Sequence, residues 1–239
     1  MNIKNNIRAV EARKREAAER AGRDPDGILL VAVTKTHPPE AINSAIDAGI
    51  TDIGENKVQE IVEKYDRVKP VRWHMIGHLQ TNKVKYIIDK VSLIHSVDSF
   101  RLAAEIDKRC AKAGRTMDIL IQVNPAGEAQ KSGVPPAETE PLIRQILAEC
   151  PNLRVRGLML VAPEAEDPED VRKWFREVKD LYDTCAAIES PALDFRWLSM
   201  GMSHDFPVAI EEGSNLIRVG TAIFGARDYT KTETEQKEN

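Results

Sequence analysis

The stretch Ile28-Leu29-Leu30-Val31-Ala32-Val33-Thr34-Lys35 decides the fold. It is a nearly unbroken apolar run that ends on a cation. A strand apolar on both faces is covered on both faces, the pattern of parallel sheets flanked by helices. Upstream, Ile3, Ile7, Val10, Ala17 and Ala21 share one helical stripe over residues 1–21. Gly22 is placed as the residue just past that helix, and Asp24-Pro25 blocks its continuation. Downstream, Pro38-Pro39 opens a helix that carries Ile42, Ala45 and Ile46 inward and stops at Gly49.

The same unit repeats along the chain. Asp52-Ile53-Gly54 precedes a helix over 57–68, Arg72–Gly77 one over 82–89, and Val91–Val97 one over 99–113, closed by Gly114. Met117–Asn124 precedes a helix over 136–150, and Arg154–Val161 one that starts after Asp167-Pro168. Phe195–Met200 precedes a helix over 204–213, and Leu216–Val219 a short one over 221–224. Strands alternating with helices imply βαβ units and a parallel sheet. Eight units predict an α/β fold, a single (β/α)8 TIM-type barrel with an extra N-terminal helix at its bottom or side. The rival is an open doubly wound sheet, which usually has five or six strands. The 239 residues suit one barrel or two small domains, and the absence of any linker or composition break favours one domain over 1–229. The tail 230–239, TKTETEQKEN, holds no apolar residue and is expected to be a disordered polar tail.

Composition narrows the class. Hydrophobic residues at 42 % and charged residues at 30 % are ordinary globular values. A net charge of −4 lacks the footprint of a nucleic-acid binder. There is neither a long apolar run for a membrane span nor an apolar signal segment at the start. Cys110, Cys150 and Cys185 are odd in number and form no C-x-x-C, so they read as three free thiols and point to the cytoplasm.

Barrel sites form where strands end. Strand 1 ends in Lys35, strand 2 in Glu55-Asn56, strand 3 in Gly77-His78 and strand 5 in Asn124. Strand 7 ends in Ser199-Met200-Gly201-Met202-Ser203, and strand 8 carries Arg218 before Gly220-Thr221. Lys35 has two readings. At a barrel mouth a partly desolvated amine is a nucleophile suited to a carbonyl; otherwise it is a loop lysine whose head reaches solvent. Gly201-Met202-Ser203 and Gly220-Thr221 are either turn glycines with capping hydroxyls or the phosphate site that barrels build after strands 7 and 8. A phosphate cradle opposite a strand-1 lysine fits an aldehyde bearing a phosphate, pyridoxal 5′-phosphate (PLP). Arg218 then faces the pyridine nitrogen as a donor, or else pairs with a rim carboxylate.

At this point the residues carry a resemblance. Val31–Thr36, Gly54-Glu55-Asn56-Lys57-Val58-Gln59-Glu60, Trp73–Lys83, Gly157-Leu158-Met159, Leu198–Ser203 and Arg218–Gly225 resemble, in the same order, signature blocks of the pyridoxal phosphate homeostasis proteins. That family is related to the barrel domain of bacterial alanine racemase, a fold-type III PLP barrel, and the likeness spans about Ile3 to Tyr229. It implies PLP held on Lys35 as an internal aldimine, with its phosphate on Ser203, Gly220 and Thr221. It also implies Arg218 near the ring nitrogen, Asn56 near the ring substituents and Met202 lining the cofactor. His78 receives no role.

The remaining polar residues read as structural. His74 and His78 straddle a strand end and a loop, so their spacing of four does not place them on one helical face, and no third metal ligand is spaced to join them. His37, His95 and His204 lie near strand ends within reach of a ligand. Arg13-Lys14-Arg15 beside Glu11 and Glu16 is a solvated face. Lys131 is a loop lysine or a second phosphate contact. Two functions stand: a carrier or buffer of PLP without substrate turnover, and a racemase-like enzyme. Racemisation needs a base on each face of the substrate. In alanine racemase the second base is a tyrosine from a partner subunit. Here Tyr65, Tyr86 and Tyr182 fall in helices and Tyr229 in the tail, and too few residues follow strand 8 for a second domain. The carrier reading is therefore preferred. PLP is the expected ligand and PLP-dependent apo-enzymes are candidate recipients. Nucleic acid, membrane and metal are not expected, and a monomer is.

Overall fold

The computed structural model describes residues 2–128, 130–190 and 192–225. The expected tail and the last residues before it lie outside the described residues. The decisive run forms β1 (Leu29–Val33), shorter than expected because the chain turns sharply after Thr34. It is followed by α2 (Pro39–Asp47), β2 (Asp52–Glu55), α3 (Val58–Lys64) and β3 (Arg72–Met75). Next come a 3-10 turn (Thr81–Tyr86), β4 (Leu93–Val97), α4 (Phe100–Ala113), β5 (Met117–Val123) and α5 (Pro136–Glu149). The chain continues as β6 (Leu153–Leu160), α6 (Arg172–Ala186), β7 (Leu193–Ser199), α7 (Phe206–Glu211), β8 (Leu216–Val219) and α8 (Thr221–Phe224). The eight strands close into a barrel in chain order, every pair parallel, with β1 meeting β8 from Leu29↔Leu216 to Ala32↔Val219. The closed parallel barrel replaces the open-sheet alternative.

The structure departs from the expectation at one element and narrows it at another. The expected helix over 82–89 is a 3-10 segment. Val84, Ile87 and Ile88 are buried there, a pattern that α-helical and 3-10 geometry both satisfy. The leading helix, α1 (Ile3–Arg20), lies on the side of the barrel against α7, α8 and α2. With only four residues, α8 cannot cover the β8–β1 seam, and α1 supplies the missing outer layer. Its buried stripe is Ile7, Val10, Ala17 and Ala18. Lys14 also turns inward, donating to the Ile28 carbonyl at 3.2 Å while pairing with Glu11. Arg23 closes the junction with bonds to the carbonyls of Ile210 and Ser214.

The barrel interior is a packed core, not a channel. Val31, Leu93, Leu120, Met159 and Leu216, from β1, β4, β5, β6 and β8, form one apolar cluster. Side chains two apart share a strand face, so His95 and Arg218 project inward beside Leu93 and Leu216. Between β6 and β7 the backbones come so close that a Cβ on Gly157 would sit 1.8 Å from the Trp197 carbonyl oxygen. With φ +142, only glycine fits there.

Candidate functional site

At the end of β1 both neighbours of Lys35 are held. The Thr34 amide donates to the Gly54 carbonyl at 3.0 Å and its hydroxyl to Glu55 Oε1 at 2.8 Å. Thr36 takes φ +66, a left-handed conformation costly for a β-branched residue, on the order of 1–3 kcal/mol. Its amide donates to Glu60 Oε2 at 2.7 Å. Lys64, near the end of α3, binds both carboxylates, at 2.8 Å to Glu55 and 2.7 Å to Glu60, and also the Thr34 carbonyl at 3.1 Å. Burial pushes the Glu55 carboxyl up, with Lys64 opposing. Burial also acts on Glu60, but bonds from Lys64 and Thr36 outweigh it and hold that carboxyl down. A largely buried two-carboxylate, one-ammonium cluster, with Glu60 at its half-buried edge, thus fixes the turn on which half-buried Lys35 stands.

The facing wall comes from the loops after β7 and β8. Gly201 has φ +90, and a Cβ there would lie 2.7 Å from that of Ala209, so the chain needs glycine to turn into α7. The Met202 amide then caps onto Asp205 Oδ1 at 2.6 Å. Ser203 Oγ receives the amides of Gly220 and Ala222, both at 3.3 Å. Two backbone donors therefore converge where α8 begins. His37 stacks on Phe224 with ring centres 4.7 Å apart.

These walls enclose a cavity of about 540 Å³ at the C-terminal end of the barrel. Lys35, Met202, Ser203, Arg218, Gly220 and Thr221 all line it. Asn56 is not among the lining residues; it stands half-buried after β2, its backbone pressed against Gly77. Sequence reasoning did not assign the Pro163-Glu164-Ala165 wall, nor His37, His204 and Asp205, which also line the cavity. Position at a strand end was a signal for the histidines. The loop after β6 carried none.

Arg218 is buried and donates to Ser199 Oγ and, at 2.8 Å, to the Leu160 carbonyl. Among the described residues its guanidinium makes no ion pair. Burial pulls its pKa down to about 10, with the charge of Asp205 opposing, so it stays cationic at neutral pH. His74 and His95 lie inside the barrel, away from the cavity lining, with Nδ1 of the first 2.9 Å from Nε2 of the second. His78 meets Ser132 in the loops, and Lys131 spans from Glu128 to the Ala162 carbonyl. The three cysteines are free and buried, and burial pushes each thiol up to about 11.

The barrel and this arrangement at its mouth define the alanine-racemase class: the family model described as alanine racemase, N-terminal domain, matches residues 5–228. A pyridoxal phosphate homeostasis protein of Aquifex aeolicus is 47% identical over 231 residues, covering 96% of this chain and 100% of the relative. One from Escherichia coli K12 is 40% identical over 236 residues, covering 96% and 99%. This chain belongs to the pyridoxal phosphate homeostasis protein family. Among solved structures, PipY of Synechococcus elongatus PCC7942, with PLP bound, matches with TM-score 0.77 and 33% identity, over 89% of this chain and 100% of that one. D-threonine aldolase from Filomicrobium marinum shares the fold at TM-score 0.72 and 17% identity, over 93% and 60% of the two chains.

Proposed function

We propose that this chain binds PLP covalently through Lys35 and takes part in intracellular PLP homeostasis, as a carrier or buffer without substrate turnover. One observation carries the reading: an amine, a buried guanidinium and a hydroxyl–amide cradle line a single cavity. The three match the aldehyde, the ring nitrogen and the phosphate of PLP. The names of the relatives and the PLP-bound PipY structure support the same ligand.

Bound there, PLP supplies an electrophilic aldehyde and an electron-withdrawing ring. Lys35 would hold the aldehyde carbon, on a turn fixed by Thr34 and Thr36. Ser203, Thr221 and the Gly220 amide, which here donates to Ser203 Oγ, would hold the phosphate at the start of α8. Met202 would line the ring. Arg218 would donate to the ring nitrogen and, keeping its own proton at neutral pH, would leave that nitrogen unprotonated. An unprotonated ring is a poor electron sink, which favours holding over turnover. Asn56, which the resemblance places near the ring substituents, stands outside the lining of this cavity. No tyrosine among the described residues lines the cavity. The racemase-like reading would have to draw its second base from His37, His204, Glu164 or Asp205, which do.

Reduction of the PLP-loaded protein with borohydride, followed by peptide mass spectrometry, tests the proposal. The expected result is the pyridoxyl mass on Lys35 and loss of the visible band in Lys35→Ala. A protein that takes up no PLP, or carries it on another lysine, rejects it. The same loaded protein should exchange the α-hydrogen of L-amino acids in deuterated water no faster than free PLP; a sustained excess would favour the enzyme.

A further inference from the structure

Five polar side chains run single file through the barrel interior. Asp52, the first residue of β2, has Oδ1 2.9 Å from His74 Nε2. His74 Nδ1 lies 2.9 Å from His95 Nε2, and His95 Nδ1 lies 3.1 Å from Ser199 Oγ. Ser199 in turn accepts from Arg218, the last residue but one of β8. All five are buried. Strands β4 and β7 are not neighbours in the barrel, so the His95–Ser199 bond crosses the lumen.

The hydrogens of this file can be counted. An arginine only donates and an ionised aspartate only accepts. Asp52 is ionised because His74, Arg72 and Thr51 all bond to it. Arg218, the Ser199 hydroxyl and two neutral imidazoles contribute one hydrogen each to the file's four links. The direction is then forced: Arg218 to Ser199 Oγ, Ser199 O–H to His95 Nδ1, His95 Nε2–H to His74 Nδ1, His74 Nε2–H to Asp52. An extra proton on either histidine would leave the buried Ser199 hydroxyl without an acceptor, a costly state. The low basicity of His95, which burial chiefly depresses, agrees with a neutral His95 ring.

We propose that Ser199, His95, His74 and Asp52 are positioning residues for Arg218. The file fixes the guanidinium that meets the cofactor's ring nitrogen and ties it to a carboxylate at the far end of the barrel. This rests on the assignment of PLP to Lys35 and Arg218 made above. The other charged groups at the two ends are Arg72, paired with Asp52 at 2.6 Å, and Asp205, beside Arg218. Because coupling between two sites is reciprocal, PLP arriving at Arg218 must be felt at His74, and the charge of Asp52 must be felt at the cofactor.

Nitrogen-15 NMR of the full chain, labelled at histidine, tests the file with and without PLP. Without cofactor, His74 and His95 should both be neutral Nε2–H tautomers near neutral pH, and adding PLP should shift both rings. In the loaded protein, Asp52→Asn should move the pH midpoint of the visible band by about half a unit. His95→Leu should move it as well, and His95→Gln, whose amide can accept and donate in one side chain, should restore it. An Nδ1–H tautomer at His95 overturns the proposal. So do histidine signals that ignore PLP while mass spectrometry finds the cofactor on Lys35. If Lys35 takes up no PLP, the functional reading falls and the file's role toward the cofactor falls with it. The tautomers of the cofactor-free protein then still decide whether the file exists.

Discussion

At the scale of single residues, Asp52 shows how competing effects set a charge. Burial alone would raise its carboxyl, but hydrogen bonds from His74, Arg72 and Thr51 outweigh that and hold it well below the usual range. A carboxyl depressed in the folded state stabilises the fold above its unfolded pKa, about 3.9, and loses that contribution as pH falls below it. Urea midpoints of the wild type should therefore drop between neutral pH and pH of about 3. Asp52→Asn, which has no such proton to take up, should start lower and decline less; parallel acid curves for the two proteins would contradict the assignment.

Residues differ in how far the sequence alone exposes them. Lys35, Met202, Ser203, Arg218, Gly220 and Thr221 were legible because each stands at or just past a strand end, and the barrel gathers strand ends. Ser199 and His95 were noted near strand ends, but their links to each other, to His74 and to Asp52 were not legible. Period two tells which face a strand residue takes, but not which residue of a non-neighbouring strand it meets across the lumen. Asn56 followed the family pattern, yet the cavity wall passes it by.

At the scale of elements, α3 does more than cover the sheet. Through Lys64 it locks the turn after β1, with the ammonium only 7% exposed between two carboxylates. Lys64→Met would leave buried Glu55 beside half-buried Glu60 without a cation. Removing one partner from such a buried cluster costs about 3–5 kcal/mol. Chemical denaturation should register that loss, and a change within about 1 kcal/mol would mean the cluster is solvated. The order and type of the elements were readable from alternating apolar runs and breakers. The 3-10 segment over Thr81–Tyr86 was not, because Val84, Ile87 and Ile88 suit an α-helical face as well as a 3-10 one.

At the scale of the whole molecule, the barrel borrows its last outer layer from the opposite end of the chain. Removing residues 2–20 would expose the faces of α7 and α8 and forfeit the burial of Ile7 and Val10, roughly 1.5–3 kcal/mol each. The truncated protein should melt well below the full chain and expose dye-binding apolar surface. Retention of the full melting temperature would show that α1 is an appendage. The sequence left the added helix at the bottom or the side; the side is chosen because α8 is short, which matters only once β8 is known to pair with β1.

That seat also sets a schedule for synthesis. The helix is made before the barrel, but α7 and α8, on which it packs, follow roughly 190 residues later. At about 5–20 residues per second, that leaves some 10–40 s in which its apolar stripe has at most α2 to pack on. Ring closure between β1 and β8 is subject to the same delay. The nascent chain must therefore keep its first twenty residues soluble by other means. The many charges between Lys4 and Arg20, set around a stripe of only four buried apolar side chains, are suited to that wait.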